Sequence, residues 1–209
     1  MEITEKMKIC IYIILFLFQC RAVRIKDESE FTVQKGEMTS KPVLFEYAIK
    51  RYPPFSNESK DIDDIPGNSA KTVGNVFRNI LEEKLLEYRN FKEYAVVKER
   101  NSAMYKGLYD YKVKINISFS QGFSFYYIPA LLSLSMIPAK AFYSDYEAEI
   151  KIFGRDDSLL KKYRFEEEVS YWYAIYYFGL AGDHLNSVNA FQYIIDKILF
   201  KIQEDRIIR

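Results

Sequence analysis

Residues 141–169, which read AFYSDYEAEIKIFGRDDSLLKKYRFEEEV, decide the fold. From 146 to 152 apolar and charged residues alternate, so an extended chain would place the apolar side chains on one face. The polar run 154–158 interrupts this pattern, and alternation resumes over 159–165. Two alternating runs separated by a short polar turn predict a β-hairpin with one face in water.

Three further strands are predicted upstream of this hairpin. Residues 111–119 alternate strictly between large apolar residues and Lys, Asn or Ser, and the polar run Ser-Gln-Gly at 120–122 is expected to end that strand. Residues 43–50 are apolar on both faces, which is typical of a central strand. Residues 91–97 are interpreted as a shorter strand.

Apolar residues at helical spacing predict two long helices, at 70–88 and 186–204. Residues 171–180 are aromatic all round and predict a short buried helix. Strands and helices in this order indicate an α+β fold, with a mixed, mainly antiparallel sheet of about five strands packed with two to three helices.

The N-terminal stretch has the pattern of an export signal. Lys8 precedes ten uncharged, mostly large apolar residues at 9–18, and Cys20 follows closely. Ten helical residues cover about 15 Å, roughly half the hydrocarbon thickness of a bilayer. The alternative is an uncleaved N-terminal anchor, because positive charges such as Arg21 and Arg24 tend to stay on the cytoplasmic side.

The four residues Leu17-Phe18-Gln19-Cys20 resemble a bacterial lipobox, in which a cysteine carries the lipid. Gln19 departs from the small residue usual before that cysteine, and such relaxed lipoboxes are similar to those of spirochaete envelope lipoproteins. The resemblance implies a signal peptide at 1–19, palmitate-type acylation of Cys20, and location in the cell envelope at the outer membrane. The order of elements also resembles curli-secretion-like lipoproteins and the lipoprotein activators of cell-wall synthases.

The polar character of the residues after Cys20 predicts how the mature chain is organised. Residues 21–41 show no apolar period, so residues 20–41 are interpreted as a flexible tether between lipid and domain. Residues 42–209 are then expected to form a single α+β domain.

An uncharged stretch at 123–138, FSFYYIPALLSLSMIP, lies between two predicted strands. Two interpretations stay open: an apolar connection packed over the sheet end, or a patch that contacts a membrane or a partner. The contact residues would be Phe123, Phe125, Tyr126, Tyr127, Ile128, Leu131, Leu132, Leu134, Met136 and Ile137.

Side chains that carry chemistry are scarce. The chain has two cysteines, Cys10 and Cys20, and a single histidine, His184, interpreted as a loop residue. The acids at 166–168 are interpreted as a solvated strand face, and those at 156–157 as part of a hairpin turn. We therefore predict no catalytic residue, no metal site and no cofactor.

These patterns favour a non-catalytic envelope lipoprotein, held to the membrane by its N-terminal lipid, that binds a lipid, an envelope protein or a second copy of itself. Balanced charge, 30 Lys and Arg against 29 Asp and Glu, argues against a nucleic-acid partner. The alternatives are an envelope hydrolase acting through carboxylates and a periplasmic small-molecule binder. A pocket gathering Asp183, His184 and the acids at 166–168 would favour the enzyme.

Overall fold

The structure is a computed structural model of the chain. It describes residues 20–25, 32–36, 39–53, 58–65, 68–105, 107–125, 128, 139–174 and 187–208. The strands are β1 Cys20–Ile25, β2 Val43–Tyr52, β3 Lys60–Asp61, β4 Tyr94–Lys98, β5 Tyr111–Phe123, β6 Ala139–Phe153 and β7 Leu159–Ala174. The α-helices are α1 Asn68–Tyr88 and α2 Ser187–Asp205, and 3-10 helices span Ile62–Asp64 and Glu99–Tyr105.

The described strands form one mixed sheet of seven strands. Its order is β1-β7-β6-β5-β2, and both β3 and β4 pair with the remaining edge of β2. β2 runs parallel to β4 and β5, whereas the other pairs are antiparallel. The predicted α+β fold and the predicted β6–β7 hairpin are confirmed, and β2 is buried on both faces as its sequence indicates.

Both α-helices contribute apolar side chains to a core on one face of the sheet. Phe77 of α1 meets Phe191 of α2 edge-to-face, with ring centroids 5.4 Å apart. Phe191 also meets Tyr146 of β6 edge-to-face at 5.9 Å. The alternating apolar residues of β5 and β6 supply the rest of this layer, because every second side chain points towards the helices. The β5 and β6 residues in this layer include Val113, Ile115, Ile117, Ala148, Ile150 and Ile152.

The other face of the sheet is polar and carries a ladder of cross-strand ion pairs. Glu149 of β6 bonds to Lys162 of β7 and to Lys151, and these bonds lower the pKa of the Glu149 carboxyl. Arg164 reaches Glu147 at 3.1 Å. Such exposed pairs contribute about 0–1 kcal/mol each, so the ladder's main effect is to keep this face soluble and in register.

Two predicted strand ends are wrong. β5 does not stop at the Ser-Gln-Gly run but continues to Phe123, with Gly122 directly opposite Tyr143 of β6. A Cβ on Gly122 would lie 2.2 Å from Cζ of Tyr143, so the glycine gives room for the tyrosine ring to cross the strand. β7 continues to Ala174, so the helix predicted at 171–180 is wrong over 171–174, and 175–180 lie outside the described residues.

Replacing Gly122 by alanine is expected to displace the Tyr143 ring and to destabilise the protein by about 1 kcal/mol, because the new methyl group would overlap that ring. Urea denaturation would show this as a lower midpoint. Ser120→Ala, two residues earlier on the same face, is the control and should change stability little. In the Gly122→Ala/Tyr143→Leu double variant, the loss in unfolding free energy should be smaller than the sum of the two single losses. A loss equal to that sum would contradict the proposed contact.

The predicted tether is also wrong for much of its length. Cys20–Ile25 forms β1 and pairs antiparallel with β7. Val33 and Thr39 are buried, and Gly36 donates a backbone hydrogen bond to the carbonyl of Tyr88 at 3.0 Å. These residues form part of the folded unit, because polar sequence can still supply an edge strand through backbone hydrogen bonds alone. Residues 1–19, the predicted signal peptide, lie outside the described residues.

Within the part of the chain that the structure describes, no helix combines the length and the apolar character needed to cross a bilayer.

Candidate functional site

One end of the sheet brings the predicted lipid-attachment residue close to the start of the apolar stretch. Cys20 is the first residue of β1 and pairs with Ala174, the last residue of β7. β6 begins at this same end with Ala139, and β5 finishes there with Phe123. Neighbouring strands in this part of the sheet run in opposite directions. The starts of β1 and β6 therefore lie at the same end of the sheet as the ends of β5 and β7.

Three apolar side chains are exposed at this end, and we call Phe123, Phe125 and Ile128 the end patch. Phe125 is 80% exposed, and Phe123 and Ile128 are exposed by 42% and 48%. The two phenylalanine rings meet edge-to-face with centroids 6.1 Å apart. The amide of Ile128 donates to the carbonyl of Phe125 at 3.2 Å, so a turn holds the patch together.

The end patch contains those predicted contact residues that the structure describes. The other predicted contact residues lie outside the described residues, so whether the whole stretch 123–138 is core or contact surface stays a prediction. They are Tyr126, Tyr127, Leu131, Leu132, Leu134, Met136 and Ile137. Cys20 is described through its β1 backbone only, and Asp183 and His184 lie outside the described residues.

The polar face of the sheet carries an acidic groove of about 460 Å³. Two pairs of acids lie directly opposite each other across β6 and β7, Asp145 with Glu168 and Glu147 with Glu166. Opposed like charges destabilise a sheet unless cations compensate them. The groove is lined by Tyr52, Ser118, Phe119, Ser120, Asp145, Tyr146, Glu147 and residues 166–168.

Nearby cations compensate the acids of this groove. The guanidinium of Arg164 lies 3.1 Å from Glu147 and 3.2 Å from Glu166, and the ammonium of Lys140 donates to Glu168 at 2.5 Å. Among the residues that the structure describes, no group of three or more His, Cys, Asp or Glu could hold a metal ion. The described residues of this groove therefore form a strand surface on which cations pair with Glu147, Glu166 and Glu168.

Glu167 corrects the prediction that residues 166–168 form one solvated face. Its side chain points to the helix face of the sheet, is 5% exposed and forms an ion pair with Lys197 of α2. The period of two along a strand sends the middle residue of three to the opposite side, so the sequence already contained this signal. The prediction for 156–157 is confirmed, since both acids lie exposed in the β6–β7 turn.

A second cavity of about 290 Å³ lies on the polar face beneath the 3-10 helix Glu99–Tyr105. The helix and the chain that follows it lie over β2 and β5, and the β6–β7 turn closes one side. No sequence pattern had predicted this cavity. Its lining residues are Leu44, Glu46, Ser102, Ala103, Tyr105, Gly107, Tyr109, Lys112, Gly154, Arg155 and Asp157.

Glu46 is the unusual residue of this second cavity. Glu46 is only 6% exposed, yet the described residues include no hydrogen-bond or ion-pair partner for its carboxylate. Lys114, its neighbour on β5, donates to Glu99 at 2.5 Å instead. The available sequence signal is one acid inside the otherwise apolar run VLFEYAI at 43–49.

No protein-family model matches the sequence, and no curated protein matches it either. Among solved structures, one that is similar is named as a neuraminyllactose-binding hemagglutinin homolog from Helicobacter pylori, with a TM-score of 0.47 and 10% identity. That match covers 88% of this chain and 96% of the other.

Two further solved structures are similar over most of this chain. A PelC dodecamer from Paraburkholderia phytofirmans has a TM-score of 0.36 and 7% identity, covering 87% of this chain and 98% of that one. A PDZ domain protein from Parabacteroides distasonis has a TM-score of 0.27 and 8% identity, covering 91% of this chain and 38% of that one. Similarity at this level carries no argument about ligands or partners.

Proposed function

We propose that the protein is a non-catalytic envelope lipoprotein, anchored through an acylated Cys20, whose end patch contacts the lipid of the same membrane. The observation that supports this is the position of the Cys20 backbone at the sheet end where Phe123, Phe125 and Ile128 are exposed. Lipid attached to that end would turn the end patch towards the bilayer.

The register of the sheet gives the distances involved. Three strand spacings, about 15 Å, separate β1 from β5 across the sheet. Phe123 is level with Val23, so Cys20 lies about 10 Å farther along the strand direction. Because Cys20 itself begins β1, no flexible linker would separate the lipid from the sheet. A short attachment of this kind restricts how the domain can tilt, so the end patch would stay at the membrane surface.

Contact between the end patch and lipid would add to the binding that the acyl chains supply. Two or more acyl chains already anchor a protein stably, so the main effect of the end patch would be to orient the domain. Burying a large apolar side chain contributes about 1.5–3 kcal/mol. Phe125 and Ile128 are exposed, so burying their side chains in lipid would stabilise the membrane-bound state.

Tryptophan quenching by bilayer lipid tests this orientation. The chain's single tryptophan, Trp172, is first changed to phenylalanine, and Phe125→Trp is then introduced in the full acylated chain. The protein is placed in phosphatidylethanolamine–phosphatidylglycerol vesicles with brominated acyl chains. We expect strong quenching and a blue-shifted emission from Phe125→Trp, because bromine quenches only tryptophans that reach the acyl region.

Leu160→Trp is the matched control, since Leu160 is an exposed apolar residue near the start of β7, at the opposite end of the sheet. Its emission should stay unquenched and similar to that of a tryptophan in water. Equal quenching at both positions would contradict the proposed orientation. An unquenched Phe125→Trp in membrane-bound protein would mean that the end patch faces a protein partner or a second copy.

A further inference from the structure

The Glu46 cavity lies at the opposite end of the sheet from the end patch. Glu46 and Lys112 belong to the first halves of β2 and β5, whereas Phe123 ends β5. The β6–β7 turn, which closes the cavity, also marks the end of the sheet remote from Cys20. In a chain anchored at Cys20, this cavity would open towards the aqueous side.

The cations around the cavity already have carboxylate partners. Lys112 donates to Asp157 at 2.6 Å, and Arg155 lies 3.5 Å from Asp110. Within the described residues, the carboxylate of Glu46 has neither a hydrogen bond nor an ion pair, although Lys114 lies opposite it on β5. A carboxylate that lines a cavity and is not engaged by a protein cation can pair with a cation from outside the protein.

Two tyrosines, Tyr105 and Tyr109, supply aromatic rings to the cavity wall. The rings of Tyr105 and Tyr109 lie with centroids 6.3 Å apart at an angle of 50°. Burial raises the pKa of the Tyr109 hydroxyl, so this ring stays neutral at physiological pH. Neutral aromatic faces beside a buried carboxylate are the groups that recognise organic cations, because the ring face attracts positive charge and the carboxylate neutralises it.

We propose that this cavity binds a small organic cation of the alkylammonium class, with its charged nitrogen at Glu46 and its carbon chain against Tyr105 and Tyr109. A volume of about 290 Å³ suits a small molecule and excludes a peptide or a polymer segment. This binding activity goes beyond membrane anchoring and uses a different surface of the sheet.

The test compares n-butylammonium with 1-butanol as probes, since the two share a carbon chain and differ in charge. Titrations of the full ¹⁵N-labelled chain are followed through the amides of Ala103 and Gly107, which line the cavity. We expect saturable shifts with n-butylammonium and at least tenfold weaker binding of 1-butanol. Equal binding of the two probes, or no binding of either, would overturn the proposal.

Glu46→Gln removes the charge and keeps the shape of the side chain. We expect at least tenfold weaker binding of n-butylammonium, because the negative charge that would face the ammonium is gone. Tyr105→Leu should weaken binding several-fold, whereas Glu166→Gln, which removes a charge from the exposed acid of the groove, should leave it unchanged. Unchanged binding by Glu46→Gln would overturn the proposal, and unfolding of this variant would show that Glu46 has a structural role instead.

Discussion

Replacing Phe191 by alanine is expected to lower the free energy of unfolding by about 3–5 kcal/mol. Phe191 is 1% exposed and lies where α2, α1 and β6 meet, in edge-to-face contact with Phe77 and Tyr146. Removing its ring therefore opens a cavity at the junction of three elements and also removes two aromatic contacts. Urea denaturation, followed by circular dichroism, would measure the loss as a lower midpoint at an unchanged slope.

Phe200→Ala on the same helix is the matched control for this prediction. Phe200 is only half buried at the margin of the core, so the same truncation removes less packing there and should cost clearly less. Phe191→Leu, which refills part of the space, should recover a portion of the loss. Similar costs for Phe191→Ala and Phe200→Ala would show that the aromatic junction is not the centre of the core.

Local periodicity was sufficient to predict the elements that form this core. Residues 111–119 and the hairpin at 141–169 alternate because one sheet face packs under helices and the other meets water, and both predictions are confirmed. The two α-helices begin within two residues of their predicted starts, since their apolar stripes face that same core. The fold class follows from these elements.

The errors at Gly122 and at β1 share a physical cause, which is that the deciding partner lies on another strand, outside the local sequence. Gly122 looked like a strand breaker because only the Tyr143 ring explains why a glycine is needed there. β1 looked like a tether because its six residues gain their order from hydrogen bonds to β7, at the other end of the chain. Such backbone pairing depends little on side-chain pattern, so composition does not reveal it.

The candidate sites were predictable to different degrees. The exposed end patch follows from the uncharged run at 123–138, because apolar residues between two strands must be covered or exposed at the sheet end. The Glu46 cavity was not predictable from its strand alone. Whether an acid in an apolar run is paired depends on how Lys112 and Lys114 of β5 are engaged, and only the three-dimensional arrangement shows this.

A Cys20→Ser variant is expected to lose its acyl chains, and then either to be released from membranes or to remain as an unprocessed precursor. Acyl chains contribute about 0.8 kcal/mol per buried methylene, so removing two or three chains eliminates far more binding than the end patch could replace. Cells producing each form would be labelled with palmitate and fractionated. The unaltered chain should carry label and sediment with membranes, whereas Cys20→Ser should carry none and be released or retain residues 1–19.

The chain supplies its own control for this experiment. Cys10 is the other cysteine and lies inside the apolar run that the predicted cleavage removes, so Cys10→Ser should leave both labelling and sedimentation unchanged. Serine at position 20 also keeps the backbone groups that pair β1 with Ala174, so the sheet should form in either variant. Identical labelling of the unaltered chain and Cys20→Ser would contradict acylation at Cys20.

The alternative of an uncleaved anchor predicts unlabelled protein that sediments with membranes in both forms, because the apolar run 9–18 would remain attached.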